Sequence, residues 1–375
     1  MKVGGSRRRS FPGEDQAAEP APDSRGVVAL ILAALVLVAA FALVTSNFPA
    51  LVKDGTSIFS QLASSLGRGS GANGADALNY TVYSPLIEKG AANISYPSDY
   101  GVLSTYALGL INTDRATFGL GAVNLSDIDV AQQHADSMLR YGYFSHNDTQ
   151  GFKPYMRYTL LGGTGAVEEN IATSFINVPY FTSTASVEGS LKSLEYAMMY
   201  NDSICCNNGH RDNILSSLHD RVSIGVAINS TDVYFVEDFE NYYIDLNFSV
   251  SSSYYVTMTG TPLETGLSAS AVYISFDNPP SPETPMQLNE GPHEYGSGTP
   301  VGGVLPPCDF NCQAFEQGTT VHADIWMFTP NLVNVTFSLR DFIQRYGPGV
   351  YTLYLVTNAG SASALTSISV FVGSA

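Results

Sequence analysis

Residues 222–240 read VSIGVAINSTDVYFVEDFE, and this stretch decides the fold of the middle of the chain. Val222, Ile224, Val226 and Ile228 alternate with small residues, the period of two that turns one face of a strand toward a core. A second run, residues 233–240, follows the polar Ser230-Thr231-Asp232 turn, so the two predict a β-hairpin. Upstream the period changes. Ile128, Ala131, Ala135 and Met138 recur at helical spacing, with a capping-box-like Ser126 and Asp129 before them and Arg140 then Gly142 marking the end. Leu103, Ala107, Leu110 and Ile111 predict an earlier helix, and Val187, Leu191, Leu194 and Met198 a later one. Helices packed on an antiparallel sheet predict an α+β domain, placed at residues 100–248.

Beyond it the pattern turns to short β-rich runs at 254–258, 271–276, 321–328, 332–339, 350–357 and 365–372, with no competing helix period. Runs of that length between Gly, Pro and Asn turns predict an all-β sandwich of immunoglobulin or fibronectin type at residues 250–375. Gly347-Pro-Gly-Val-Tyr351 is similar to the strand entry at which a Tyr tethers a corner of such sandwiches. The long segment 277–318 carries many Pro and Gly together with Cys308 and Cys312; it reads as a stapled, passive excursion, with a binding loop as the alternative.

On the N-terminal side, residues 26–44 read GVVALILAALVLVAAFALV, an uncharged run of 19 residues. At about 1.5 Å per residue it spans a hydrocarbon core of roughly 30 Å. Lys2, Arg7, Arg8, Arg9 and Arg25 precede it and only Lys53 follows closely, which orients the N-terminus to the cytoplasm. The sequence thus predicts a cytoplasmic tail at 1–25, an uncleaved single-pass transmembrane helix at 26–46, favoured over a cleaved signal peptide by the 25 residues before it and the length of the run, and a flexible Ser/Gly/Ala-rich linker at 47–99. Localisation is then the cell membrane with the C-terminal domains extracellular. Eight Asn-x-Ser/Thr sequons, at Asn79, Asn93, Asn124, Asn147, Asn201, Asn229, Asn247 and Asn334, all fall beyond the span, as an outward-facing glycoprotein requires.

The chain of 375 residues holds 34 acidic against 17 basic side chains, a formal charge of −17, which repels polyanions and excludes nucleic-acid partners. Four cysteines are too few for a disulfide-built scaffold and lack paired C-x-x-C zinc spacing. Cys308 and Cys312 are placed for a local disulfide, with a metal clip as the alternative. For the adjacent Cys205 and Cys206, a vicinal disulfide, pairing with Cys308 or Cys312, and the reduced state stay open.

Six short pieces in the α+β region then occur in a telling order: Asn112-Thr-Asp-Arg115 with Phe118-Gly-Leu120, Tyr143-Phe-Ser-His146, Glu168-Glu169-Asn170-Ile171-Ala172, Gly209-His210-Arg211-Asp212-Asn213-Ile214-Leu215, Ile224-Gly-Val226 and Tyr234-Phe-Val-Glu-Asp-Phe239. Together they resemble the CAP (cysteine-rich secretory protein, SCP-like) superfamily, in its cysteine-poor microbial branch. The resemblance implies an α-β-α sandwich with a cleft in which two His and two Glu converge. His146, Glu169 and His210 match three of these positions. The fourth falls to Glu195 or Glu188 on the later helix, with Glu195 favoured one turn after Leu191. The chain departs from the family pattern in having Leu191 where a Trp is usual and an insertion, residues 196–208, before Gly209-His210.

Two imidazoles with nearby carboxylates suffice for an open site for Zn²⁺ or another divalent cation, with His146 and His210 as the metal ligands. His134, His219 and Glu237 read as structural. No Gly-x-Ser-x-Gly or His-Glu-x-x-His motif supports a conventional hydrolase. The function expected is a membrane-anchored surface module binding a small ligand, whether lipid, peptide or glycan, in the His/Glu cleft. The alternatives are a metal-dependent extracellular hydrolase or protease with Glu169 as base, and a structural envelope protein docking on cell-envelope components.

Overall fold

The computed structural model describes residues 78, 80–88, 100–292, 294–357 and 363–374, all within one compact unit, Ile58–Ala375. The expected tail and anchor, most of the linker, and the sequons at Asn79 and Asn93 lie outside the described residues. Among the described residues no helix is long and apolar enough to cross a membrane.

The hairpin forms as its alternation predicts. Strands β4 (Arg221–Ile228) and β5 (Asp232–Asn241) pair antiparallel, β3 (Ala166–Phe175) joins the far side of β5, and the two-residue β2 (Asn124–Leu125) lies parallel to β4. Val222, Ile224, Val226, Ile228, Phe235 and Phe239 face one way and bury against helices α1 (Tyr100–Thr117), α4 (Thr184–Tyr200) and α6 (Gly209–Ile214) through Leu103, Ala107, Ile111, Val187, Leu191 and Ile214. The opposite face carries α2 (Val130–Tyr141) and α3 (Pro154–Leu160), through Ala131, Ala135 and Met138 against Ala227 and Val236. The domain is therefore a three-layer α-β-α sandwich.

Gly142 closes α2 in the left-handed conformation, φ 71°, its N–H returning to Met138 O. Ser126 does not cap α2; its Oγ accepts from Ile128 N, and Asp129 occupies the N-cap without a side-chain bond. Gly225 in mid-strand admits α2 to the sheet: a Cβ there would sit 2.1 Å from Ala131 O.

The C-terminal region is a two-sheet sandwich. One sheet runs β1-β14-β13-β8-β9-β10 and the other β11-β12-β7-β6. Their ranges are Tyr80–Tyr83 for β1, Ile244–Val250 for β6, Tyr255–Pro262 for β7, Ala269–Asp277 for β8 and Thr299–Leu305 for β9. Then follow Thr319–His322 for β10, Ile325–Thr329 for β11, Leu332–Ser338 for β12, Gly349–Thr357 for β13 and Ile368–Ser374 for β14. One apolar core, including Val256, Met258, Val335, Phe337, Tyr351 and Leu353, fills the space between them. Tyr351 donates to Gly347 O, the corner tether its sequence context suggested.

Expectations about boundaries and elements change as well. Tyr80–Tyr83, inside the span assigned to a flexible linker, pairs with β14, because Tyr80 and Val82 pack on the sandwich core. Ile244–Val250 belongs to the sandwich sheet, which moves the domain boundary before residue 244. Two short helices, α7 (Pro285–Glu290) and α8 (Arg340–Tyr346), interrupt the β pattern; Phe342 and Ile343 of α8 bury into the core, too few residues to register as a helical period.

Segment 277–299 is not a passive excursion. Leu288 of α7 buries against the α2 layer, Asn289 Oδ1 accepts from Phe144 N at 2.8 Å, and Lys153 Nζ meets Asp277 Oδ1 at 2.7 Å. This strap and the apolar contact of Val350 and Phe371 with Phe152, Tyr155 and Val167 seat the sandwich on the α2/α3 face. Gly225→Ala is expected to lower the unfolding free energy by about 1–3 kcal/mol, because helix and strand backbones must separate. The check is the urea midpoint at unchanged slope, and a midpoint equal to that of the unaltered chain would refute the packing.

Candidate functional site

Glu169 and Asn170 are adjacent on β3, so their side chains leave the sheet on opposite faces. On the α2/α3 face, Glu169 Oε2 accepts from Arg157 Nη2 at 2.7 Å and Oε1 meets His146 Nδ1 at 2.8 Å, with His134 Nε2 at 3.9 Å. Arg157 sits in the first turns of α3, which starts at Pro154, and its Nη1 also donates to His146 O and Phe152 O, each at 2.7 Å. Tyr295 of the strap covers the group: its ring centroid lies 4.7 Å from that of His146 and its hydroxyl accepts from Glu169 N at 2.8 Å.

Burial by itself would raise the Glu169 carboxyl, but Arg157 first and the two imidazoles next pull it down to about 2. It is a carboxylate across the neutral range, and His146 Nδ1 therefore carries the hydrogen of their bond. Burial, then the Arg157 charge, lowers His134 to about 3, so that imidazole is neutral and rests on Ser145 O. Asp238, the register partner of Glu169, finds no donor for either oxygen; burial chiefly, then the Glu169 charge, raises it well above the carboxylate range, so it keeps its proton.

The other face carries a second polar group. Asn170 Nδ2 donates to Glu237 Oε2 at 3.1 Å and to His210 O at 3.2 Å, and Asn170 Oδ1 accepts from Asn213 Nδ2 at 2.9 Å. Glu195 of α4 faces Glu237 of β5. Both are buried, and neither Glu195 oxygen meets a donor from another side chain. Burial above all, and then Glu237, raises Glu195 well above its ordinary range, so the two carboxyls share a proton that Glu195 carries.

His210, at the start of α6, turns Nδ1 to Asp202 Oδ1 at 2.6 Å. Asp202 opens the short α5 (Asp202–Cys205) and receives Arg211 N on Oδ2 at 3.2 Å. Cys205 and Cys206 form a vicinal disulfide beside them, and Cys308 pairs with Cys312.

The expected tetrad is thus divided. His146 and Glu169 come together beneath the strap, Glu195 joins Glu237, and His210 joins Asp202. The expected metal pair does not form one donor set, since His146 is held by Glu169 on the α2/α3 face and His210 stands with α6 on the opposite one. Among the described residues, the His, Cys and carboxylate atoms close enough to share a cation belong to Asp202, Cys205, Cys206 and His210, all within 4.8 Å of one another. His219 bonds Asn241 and Asn213 at 2.8 Å each and stacks on Phe239.

Sequence reasoning passed over Arg157, Asp202, Asp238 and Tyr295. Arg157 carried a signal, an isolated cation in the apolar Pro154-Tyr-Met-Arg-Tyr158 of a chain poor in basic residues. Asp202 carried another, as the first member of Asp-x-x-Cys-Cys-x-x-x-His. Tyr295 carried none, because its contacts span 126 residues and more.

An α-β-α sandwich with this order of polar residues defines the class of the domain. Residues 108–239 match the family described as CAP, the cysteine-rich secretory protein family, and the chain carries a CAP family domain there. Solved structures similar to part of the chain include an extracellular protein containing a SCP domain from Bacillus anthracis, at 20% identity over 39% of this chain and 45% of that one, TM-score 0.27. An outer surface protein from Borrelia burgdorferi aligns at 14% identity over 38% of this chain and 96% of its own, TM-score 0.30. The CAP domain of enterococcal PrgA aligns at 15% identity over 37% and 60%, TM-score 0.28. No curated protein matches the chain in sequence.

Arg157→Ala leaves a buried carboxylate without its countercharge and is expected to cost about 3–5 kcal/mol of stability. Glu169 has its folded value depressed from 4.5 to about 2, so its contribution is full above 4.5 and fades as pH falls toward 2. The stability gap between the unaltered chain and Glu169→Gln, measured by denaturation from pH 7 to pH 2, should close over that interval. A gap independent of pH would contradict an ionised Glu169.

Proposed function

We propose that the chain is a membrane-anchored cell-surface protein whose CAP domain binds a small ligand, lipid, peptide or glycan, at the α4/α6 end of its sandwich. The span at residues 26–46 serves as the single-pass anchor, with the N-terminus cytoplasmic and the globular part outside. The observation that carries the binding reading is an exposed aromatic rim beside His210. Tyr196 and Tyr200 lie one turn apart with ring centroids at 4.9 Å, and Tyr200 donates to Asp114 at 2.6 Å. One turn beyond Asp114 on α1, Phe118 lies under the Arg211 guanidinium at 4.9 Å, and Ile204 on α5 is 96% exposed. Large apolar side chains held in the open beside fixed charges are the usual composition of a recognition surface. Much of this rim belongs to the insertion in which the chain departs from the family pattern.

The hydrolase alternative needs Glu169 as a base. A carboxylate held near 2, with both oxygens engaged and Tyr295 above it, is a weak base and out of reach of substrate.

Mass spectrometry of the detergent-purified full chain should find a bound small molecule. Tyr196→Ala with Tyr200→Ala should reduce its occupancy at least about tenfold while leaving the thermal midpoint within a few degrees. A chain that co-purifies with nothing, or a double variant that retains its ligand, would remove the support. Deleting residues 26–46 should move the protein from the membrane pellet to the supernatant.

A further inference from the structure

The vicinal disulfide lies within a nine-residue loop, 202–210, that opens with Asp202 and closes with His210, and both of these side chains are gathered beside the sulfurs. Asp202 is buried, at 2% exposure, and its Oδ2 is taken by Arg211 N, which leaves Oδ1 for His210 Nδ1 at 2.6 Å and Cys205 Sγ at 3.5 Å. The loop is fixed by its backbone: Cys206 N and Asn208 N both reach Asp202 O, at 3.0 and 3.4 Å, and Gly209 N reaches Cys206 O at 2.9 Å. Asn207 and Asn208 take left-handed conformations, φ 50° and 67°, which turn the chain so that His210 returns over Asp202.

One oxygen, one nitrogen and two sulfurs thus lie within 4.8 Å of one another, and the Cys and His positions are open to solvent in part. Four donors at ordinary zinc bond lengths stand roughly 3.3–3.8 Å apart on a tetrahedron, so the widest separations must shorten by about 1 Å and the 2.6 Å His210–Asp202 contact must open by a similar amount. The sulfurs are the exception, since in the disulfide they are bonded to each other and neither is a thiolate.

We infer that Asp202, Cys205, Cys206 and His210 are a redox-gated site for a thiophilic divalent cation of the zinc and cadmium class, closed in the disulfide state and open in the dithiol state. A dithiol reductant transfers two electrons and two protons to the Cys205–Cys206 bond and becomes a disulfide itself. The two thiols formed bind the cation and release their two protons to water, while His210 supplies a ring nitrogen and Asp202 an oxygen. Reoxidation by a disulfide moves two electrons from the sulfurs to that disulfide, which breaks its own S–S bond and takes two protons from water to become two thiols, while the Cys205–Cys206 bond re-forms and the cation leaves. The site shares His210 with the proposed rim but stands without any ligand on Tyr196 or Tyr200.

The test uses the full chain with Cys308→Ser and Cys312→Ser, so that reduction exposes only Cys205 and Cys206. Reduced with a dithiol, desalted under argon and titrated with Co²⁺, it should bind one equivalent with a thiolate-to-cobalt charge-transfer band. The air-oxidised sample should show no band. Adding His210→Ala or Asp202→Asn should weaken Co²⁺ binding at least about tenfold, and adding Cys205→Ser should abolish the band. In the unaltered reduced chain, Zn²⁺ should protect Cys205 and Cys206 from alkylation and leave Cys308 and Cys312 reactive, as peptide mapping reads it. A reduced chain without a band, a band that survives Cys205→Ser with Cys206→Ser, equal binding in both redox states, or no selective protection would each overturn the assignment.

Discussion

The pleat of one strand divides the polar interior of this domain. Glu169 and Asn170 are consecutive on β3, and the alternation of side chains sends the first to α2 and α3 and the second to α4 and α6. Each then fixes what packs on its side. Arg157 and His146 are bound to Glu169, which ties α3 and the loop after α2 to the sheet. Asn170 holds Glu237, Asn213 and the His210 carbonyl, which ties β5 and α6 to the same strand. A buried ion pair adds little net stability over apolar packing, because desolvating both charges offsets most of their attraction. Its value here is specific: a slip of β3 by one residue would exchange the two faces, parting Glu169 from Arg157 and bringing it to the Asn170 side beside the Glu237 carboxyl.

That division also decides which chemistry meets solvent. The sandwich seats itself on the α2/α3 side, with Val350 and Phe371 filling the cluster around Phe152 and Tyr155, and the strap lays Tyr295 on His146. Glu169 and His146 are thereby sealed as an internal clamp. The α4/α6 side carries no such cover from the strap, and His210, 17% exposed at its side chain, is the imidazole of the expected tetrad with the greater access. The β-sandwich is consequently a structural partner of the CAP domain as well as a separate layer pair with its own core.

What could be read in advance follows from the range of each interaction. The alternation at Val222 to Ile228, the stripe ending at Gly142 and the Tyr351 corner are local, and each appears where its period or turn chemistry placed it. The strap contacts join Asn289 to Phe144 and Tyr295 to Glu169 across more than a hundred residues, and no local pattern encodes them. The distribution of the tetrad was hidden for a different reason. His146, Glu169, Glu195 and His210 are all brought to the sheet, but residue identity and order do not say which face a strand residue takes. That depends on register, and register was legible only in the hairpin. Arg157 and Asp202, the partners that decide what His146 and His210 do, were hidden because a lone Arg in a helix or a lone Asp in a loop is ordinary in composition.

The disulfides bear on where the chain keeps its reactive groups. A crosslink stabilises a fold mainly by restricting the unfolded chain, and the effect grows with the loop it closes. Cys205–Cys206 spans one residue and Cys308–Cys312 four, so neither restricts the unfolded chain much, and the two cores hold without them. A vicinal pair with so little to contribute to global stability has only local consequences, and locally it sits against a buried carboxylate and an accessible imidazole. Residues 196–210 therefore bring Tyr196 and Tyr200, the sulfur pair and the more accessible histidine into one stretch of chain.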